Sequence, residues 1–375
     1  MSIIAKIISE TLPQYCSTKG LSLEQAKACS AITRCRTGEL GYLEGACICG
    51  YCKLFAASCR NRHCPTCQTG AAYRWVAQWR ERIPDVPTYH AVFTVPECLR
   101  VLFLFGRREC FNALFVAARK AVERLCRKHP RLAGVSLGMI SMLHTWGSQL
   151  QFHPHLHVIL CGAGYREDGT WVQLPPTQGW LGTVGALSRC FRALILQWLK
   201  GLLEAGEPVF GLPHAQVKSL VRRASMHGWR VFIQRSRCGP DRALAYLGRY
   251  AHRVGISEAR VISFEGGRVQ IAYRAHKEKV ASHTCTLSGL EFLTRFLQHV
   301  LPEGFRKIRA YGFLVCGGAP AEAKSHATAK DAQARPTLPL CPRCLVPLMF
   351  VFLSNAERII KRCANSPPFV GCKAC

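Results

Sequence analysis

The chain has 375 residues, 49% hydrophobic and 19% charged, which is enough apolar material for a sizeable core and excludes a disordered polymer. Fifty Lys and Arg face 22 Asp and Glu, a net charge of +28 spread along the whole length, so the expected partner is a polyanion, above all nucleic acid. The opening MSIIAKIISETLPQYC has no secretory pattern and no apolar run is long enough to cross a bilayer, so a cytoplasmic protein is expected. Its 22 cysteines then read as metal ligands where clustered and as buried apolar residues where scattered.

Composition divides the chain into residues 1–85, 86–315 and 316–375. The first zone holds GACICGYCKLFAASCRNRHCPTCQ, with Cys47, Cys49, Cys52, Cys59, Cys64, Cys67 and His63. A C-x2-C turn aims two sulfurs at one point, so Cys49–Cys52 and Cys64–Cys67 can close a tetrahedral zinc site, with Cys47 and Cys59 competing for positions. Zinc would supply the folding energy that a short, loop-rich unit lacks. A helix follows in TGAAYRWVAQWRERI, and Arg60 and Arg62 are candidate DNA contacts.

The second zone reads as α+β around a largely antiparallel sheet. Strands are expected at TYHAVFTV, GMISMLHTW, LHVILCG and WRVFIQRS, and a hairpin at RVISF–GG–VQIAYR. Helices are expected at RECFNALFVAARKAVERLCRKH, GALSRCFRALILQWLKGLLEAG and DRALAYLGRYAHRV. The sharpest chemical signal is QFHPHLHVIL. On a strand His155 and His157 point to one face, with His153 in the same parity just before it. Two imidazoles side by side suit a divalent cation with open coordination positions, and the third ligand is left among His144, His252 and Gln151. Near a phosphodiester such an ion, Mg2+ or Mn2+, acts as a Lewis acid.

In DRALAYLGRYAHRVG, Tyr246 and Tyr250 lie one helical turn apart, with Arg249 and Arg253 at the same spacing beside them. Asp241 suits the start of the helix and Gly255 its end. A phenol beside guanidinium groups suits a nucleophile that attacks phosphate while cations hold the backbone. The third zone begins with an Ala-rich linker and ends in a cysteine group. There Cys341 and Cys344, with Cys372 and Cys375, could form a second zinc site, or the tail could be decayed.

His155-Leu156-His157 resembles the HUH motif, and Tyr246-Leu-Gly-Arg-Tyr250 the tyrosine motif of its two-tyrosine branch. Together with CRTGELG, SCRNRHCPTCQ, HAVFTVPE and LPEGFRKIRAYGFL, these stretches are similar, in order, to the rolling-circle transposases of the insertion-sequence-ninety-one family. The resemblance implies an HUH endonuclease fold behind an amino-terminal zinc-binding domain. It implies that Tyr246 and Tyr250 carry the nucleophile role, and that His155 and His157 hold the catalytic metal. It further implies nicking of single-stranded DNA at mobile-element ends through a 5′-phosphotyrosine link. One departure is visible: the family's C-x2-C-G would put a cysteine at Ala46, whereas Cys47 stands one residue later. Two other readings are a plasmid or phage replication initiator with the same chemistry, and a non-catalytic zinc DNA-binding protein.

Overall fold

The computed structural model describes residues 1–175, 182–205, 208–236, 244, 248, 255–274, 283–315 and 339–353. Two helices open the chain, α1 (Ile3–Thr18) and α2 (Leu23–Thr33). Serines start both: Ser2 Oγ accepts from the Ala5 N–H, and Ser22 and Gln25 cap each other reciprocally. A short hairpin, β1 (Tyr42–Ala46) and β2 (Cys52–Ala56), leads to α3 (Pro65–Arg80). Pro65 sits in the first turn of α3, where its missing N–H would have no partner anyway.

The central layer is a six-stranded antiparallel sheet. Its strands are β3 (Thr88–Thr94), β4 (Ser136–Trp146), β5 (Phe152–Tyr165), β6 (Trp171–Gln173), β7 (Arg230–Arg235) and β11 (Ile308–Tyr311). The order is β11-β4-β5-β3-β7, with β6 added beside the end of β5. Helices α4 (Arg100–Phe105), α5 (Arg107–Cys126), α6 (Val184–Glu204) and α7 (His214–Met226) cover one face. On that face Phe93, Leu156, Val158 and Leu160 meet Phe111, Phe115 and Phe191 in the main core. The other face carries Ile140, Met142, Ile159 and Cys161 and is covered by Trp75, Val76 and Trp79 of α3 together with Leu244. Apolar cover on both faces explains why β4 is buried along almost its whole length rather than alternating.

A smaller sheet, β8 (Val261–Glu265), β9 (Arg268–Tyr273) and β10 (His283–Ser288), is followed by α8 (Gly289–Leu297). Gly266 and Gly267 turn the β8–β9 hairpin with φ of +53° and +71°, as expected for a two-residue turn of opposite hand. Ile4, Ile7 and Ile8 of α1 and Ile32 of α2 pack with Val269, Ile271, Phe292 and Phe296 in one cluster. Strand β12 (Met349–Leu353) pairs with β1, not with any element near it in sequence. Packing units therefore cross the boundaries that composition suggests at 85 and 315. Among the described residues, no helix is long and apolar enough to cross a membrane.

Candidate active site and metal centres

The α+β architecture puts three histidines on one patch of the central sheet. His144 of β4 lies directly opposite His155 of β5, and Met142 opposite His157. The imidazole nitrogens of His144, His155 and His157 lie within 4.8 Å of one another, a spacing that one metal ion can bridge. His144 is buried and the other two are half-buried, so the group is open on one side. His153, expected just before the strand, lies within β5. The ladder shifts between His144 and Trp146, so two β5 residues, His153 and Pro154, face one β4 residue. Pro154, which has no N–H to donate, sits at that irregularity.

Neighbouring groups settle which ring nitrogens are available. His155 Nδ1 donates to the His153 carbonyl at 2.7 Å, which leaves Nε2 as the lone-pair atom. His157 Nδ1 is 2.9 Å from Nε2 of His90 on β3, so its Nε2 is likewise the atom left for a metal. Arg100 donates to His153 Nδ1 at 2.8 Å and pairs with Glu97 at 2.9 Å, which extends the support outward. Trp146 stacks on His144 with ring centres 4.6 Å apart. Burial lowers the pKa of His90, His153 and His155 to about 4 and holds His157 well below its ordinary value. All four are therefore neutral at pH 7, the state in which imidazole binds a cation. Of the sequence candidates for third ligand, His144 joins the pair, whereas Gln151 is exposed and its side-chain oxygen accepts the Gln149 N–H at 2.9 Å. His252 lies outside the described residues.

The cysteines form two quartets rather than the one site expected from Cys47–Cys67. The first is Cys35, Cys59, Cys64 and Cys67. Its Sγ–Sγ separations are 3.6 Å (Cys35–Cys67), 3.7 Å (Cys59–Cys67) and 3.7 Å (Cys35–Cys64). A tetrahedral zinc–thiolate site with bonds near 2.3 Å places its sulfurs about 3.8 Å apart. The hydrogen bond with Cys59 brings the Cys64 thiol down to about 5; burial opposes this, and the Cys67 backbone N–H assists it. The second quartet is Cys47, Cys49, Cys341 and Cys344. Cys52 belongs to neither. It is the first ladder residue of β2, opposite Ala46, so Cys49-Gly-Tyr-Cys52 is hairpin loop and arm, not a knuckle. His63 is also outside the quartets, because its Nε2 accepts the Leu301 N–H at 3.0 Å. Cys341 and Cys344 join Cys47 and Cys49, whereas Cys372 and Cys375 lie outside the described residues.

Residues 7–95 match the family described as transposase zinc-binding domain, of the IS91 type, and residues 138–322 match the family described as "Putative transposase". The chain is 36% identical over 305 residues to "Putative transposase y4qJ" of Sinorhizobium fredii, covering 78% of this chain and 75% of that protein. It is 30% identical over 315 residues to the transposase for insertion sequence element IS801 of Pseudomonas savastanoi pv. phaseolicola, covering 80% and 73%. No solved structure matches. The chain belongs to the IS91-type transposases. It is thus a DNA-processing enzyme with a zinc-binding domain, and DNA is its partner.

In this transposase the first cysteine quartet lies wholly inside the zinc-binding match. Tyr246, Tyr250, Arg249 and Arg253 lie outside the described residues. Two positions between and beside them are described: Leu244 and Gly248 are helical. Leu244 is 1% exposed and belongs to the buried cluster that also holds Ile159, Cys161 and Met142, on the face that carries the histidines. Gly248 lies against Val76 and Trp75 of α3. Arg60 is exposed, at φ +51°, whereas Arg62 is half-buried beside His63, and burial lowers its pKa. Sequence reasoning missed His90 and Cys35. The only signal for His90 was a polar residue at alternate spacing in TYHAVFTV. Cys35 opens CRTGELG, well before the dense cysteine run.

Proposed function

We propose that this transposase nicks and rejoins single-stranded DNA at the ends of a mobile element through a 5′-phosphotyrosine intermediate, the chemistry of rolling-circle transposition. The phenol oxygen of Tyr246 or Tyr250 attacks a backbone phosphorus. The O–P bond to tyrosine forms, the P–O3′ bond breaks, and the departing 3′-oxygen takes up a proton. In the return step a 3′-OH attacks the phosphotyrosine phosphorus and the phenol is restored. A second tyrosine permits a second transfer to target DNA.

The observation that carries this reading is the position of Leu244. It shares a buried cluster with Ile159, which lies two residues along the same face of β5 from His157, and it stands two residues along the chain from Tyr246. His144, His155 and His157 would hold a divalent ion, for which imidazole suits Mn2+ better than Mg2+, and when bound it supplies a Lewis acid to the scissile phosphate. His90 and the His153 carbonyl fix the ring orientations of two of these ligands.

A groove of about 540 Å³ lies along β3, the strand next to the histidine-bearing β5, and suits the DNA strand itself. Val92 and Thr94 line it, and they pair across the sheet with His157 and His155. Arg189, Arg192 and Arg230 also line it, together with Phe232, which is 51% exposed. Among the described residues, no acidic side chain lines the groove. Cations tracking a backbone and an exposed ring on which a base can stack are the two parts of a single-strand binding channel.

The test is incubation with end-labelled single-stranded element-end DNA, with and without Mn2+ or Mg2+, read on a denaturing gel. A covalent protein–DNA adduct that requires the metal is expected, and Tyr246→Phe with Tyr250→Phe should abolish it while the protein stays folded. An adduct surviving in that double variant would sink the tyrosine assignment.

A further inference from the structure

We infer that Cys47, Cys49, Cys341 and Cys344 bind a second structural zinc ion, which clasps strand β12 to β1 and so ties the end of the described chain to its amino-terminal unit. Cys341 and Cys344 lie beyond both family matches, which end at residue 322, so the matched zinc-binding domain does not contain this site.

Four sulfurs converge from segments almost 300 residues apart. Cys47 and Cys344 Sγ are 3.2 Å apart and Cys49 and Cys341 Sγ 3.5 Å, with all four within 4.8 Å. Two tight turns deliver them. In one, the Cys47 N–H donates to the Tyr51 carbonyl and the Gly50 N–H to the Cys47 carbonyl, with Gly50 at φ +84°. In the other, the Leu345 N–H donates to the Cys341 carbonyl, and the Arg343 N–H points at Cys341 Sγ, 3.4 Å away. N–H groups aimed at sulfur stabilise the thiolate that a metal requires. The C-x-C spacing of Cys47 and Cys49 also accounts for the departure from the family's C-x2-C: Cys47, not a residue at position 46, supplies the ligand.

Among the described residues, the cluster beneath β1, β2 and β12 has three buried members, Cys47, Cys341 and Leu348, and two of them are the cysteines. Gly45 leaves room there for the Phe55–Phe350 ring pair, 5.4 Å between centres. A unit of this size needs a staple, and four soft thiolates in tetrahedral spacing select zinc.

The experiment measures zinc in the purified full-length protein, and maps thiols by alkylation with N-ethylmaleimide before and after chelation. Two zinc ions per chain are expected, falling to one in Cys341→Ser/Cys344→Ser and staying at two in Cys52→Ser. In the native protein Cys16, which is exposed, should label at once, whereas Cys49 and Cys344, also exposed, should resist until a chelator is added. This second measurement uses the unaltered protein and stands even if the double variant fails to fold. Three results would overturn the assignment: Cys49 and Cys344 labelling as fast as Cys16, protection that yields to reductant but not to chelator (a disulfide), or two zinc ions retained by the double variant.

Discussion

His90 and His157 meet across the β3–β5 ladder with rings within 4° of parallel and Nε2 2.9 Å from Nδ1. The contact fixes the ring of a candidate metal ligand through a residue that is not in the ligand group. His90→Phe keeps the volume but removes the hydrogen bond. It should weaken divalent-metal affinity about 10–100-fold, with the fold intact. Metal titration by calorimetry against the parent protein checks this; unchanged affinity would make His90 a packing residue only.

Gly248 lies against Val76 so closely that a methyl group at 248 would overlap Val76 Cγ2. The glycine of Tyr-Leu-Gly-Arg-Tyr therefore lets the backbone at 248 come close against α3, the helix that Cys64 precedes as N-cap. Gly248→Ala should lower adduct formation while leaving zinc content unchanged. Adding Val76→Ala should recover much of the loss, because it removes the opposing methyl groups. Two independent, additive losses in a double-mutant cycle would exclude this contact as the cause.

Phe232→Ala in the basic groove should weaken single-stranded DNA binding by about 1–3 kcal/mol, nearly independent of salt, because it removes a stacking surface. Arg192→Ala should instead reduce the slope of log affinity against log salt by roughly 0.7, the value for one phosphate contact on a single strand. Fluorescence anisotropy at several salt concentrations separates the two effects. Equal salt slopes for the parent and Arg192→Ala would place the strand elsewhere.

His299 is 2% exposed, with Nδ1 at 3.1 Å from the Thr145 hydroxyl and Nε2 at 3.0 Å from the Leu150 carbonyl. Burial lowers its pKa from 6.5 to about 4. The unfolded chain takes up a proton below pH 6.5 and the folded one does not. The contribution is therefore complete above pH 6.5 and is lost as the pH falls toward 4, amounting to about 2 kcal/mol by pH 5. Denaturant melts at pH 7 and pH 5 should show the drop, and His299→Gln should make the difference smaller. An identical pH dependence in that variant would assign the loss to other groups.

Local pattern was enough wherever one segment's own periodicity carried the answer. Strands β3, β4, β5 and β7, the Gly266–Gly267 hairpin and helices α3, α5 and α6 coincide with apolar periods and turn residues. His155 and His157 share a face by the two-residue repeat of any strand. The opening helices were not legible in this way, because α1 contains Pro13 and both helices find their core partners some 250 residues away, on β9 and α8.

Composition, charge and motif order by themselves determined that this is a basic, cysteine-rich α+β protein with a strand of histidines and a nucleic-acid partner. Which residues lie close enough to share a metal was decided only by tertiary structure. His144 reaches His155 through a β4–β5 register, Cys35 reaches Cys67 from 32 residues upstream, and Cys341 reaches Cys49 from 292 residues away. Ligand sets depend on through-space distances of a few ångströms. Spacing along the chain constrains such distances only within a single turn or strand, and everything longer is set by which surfaces bury each other.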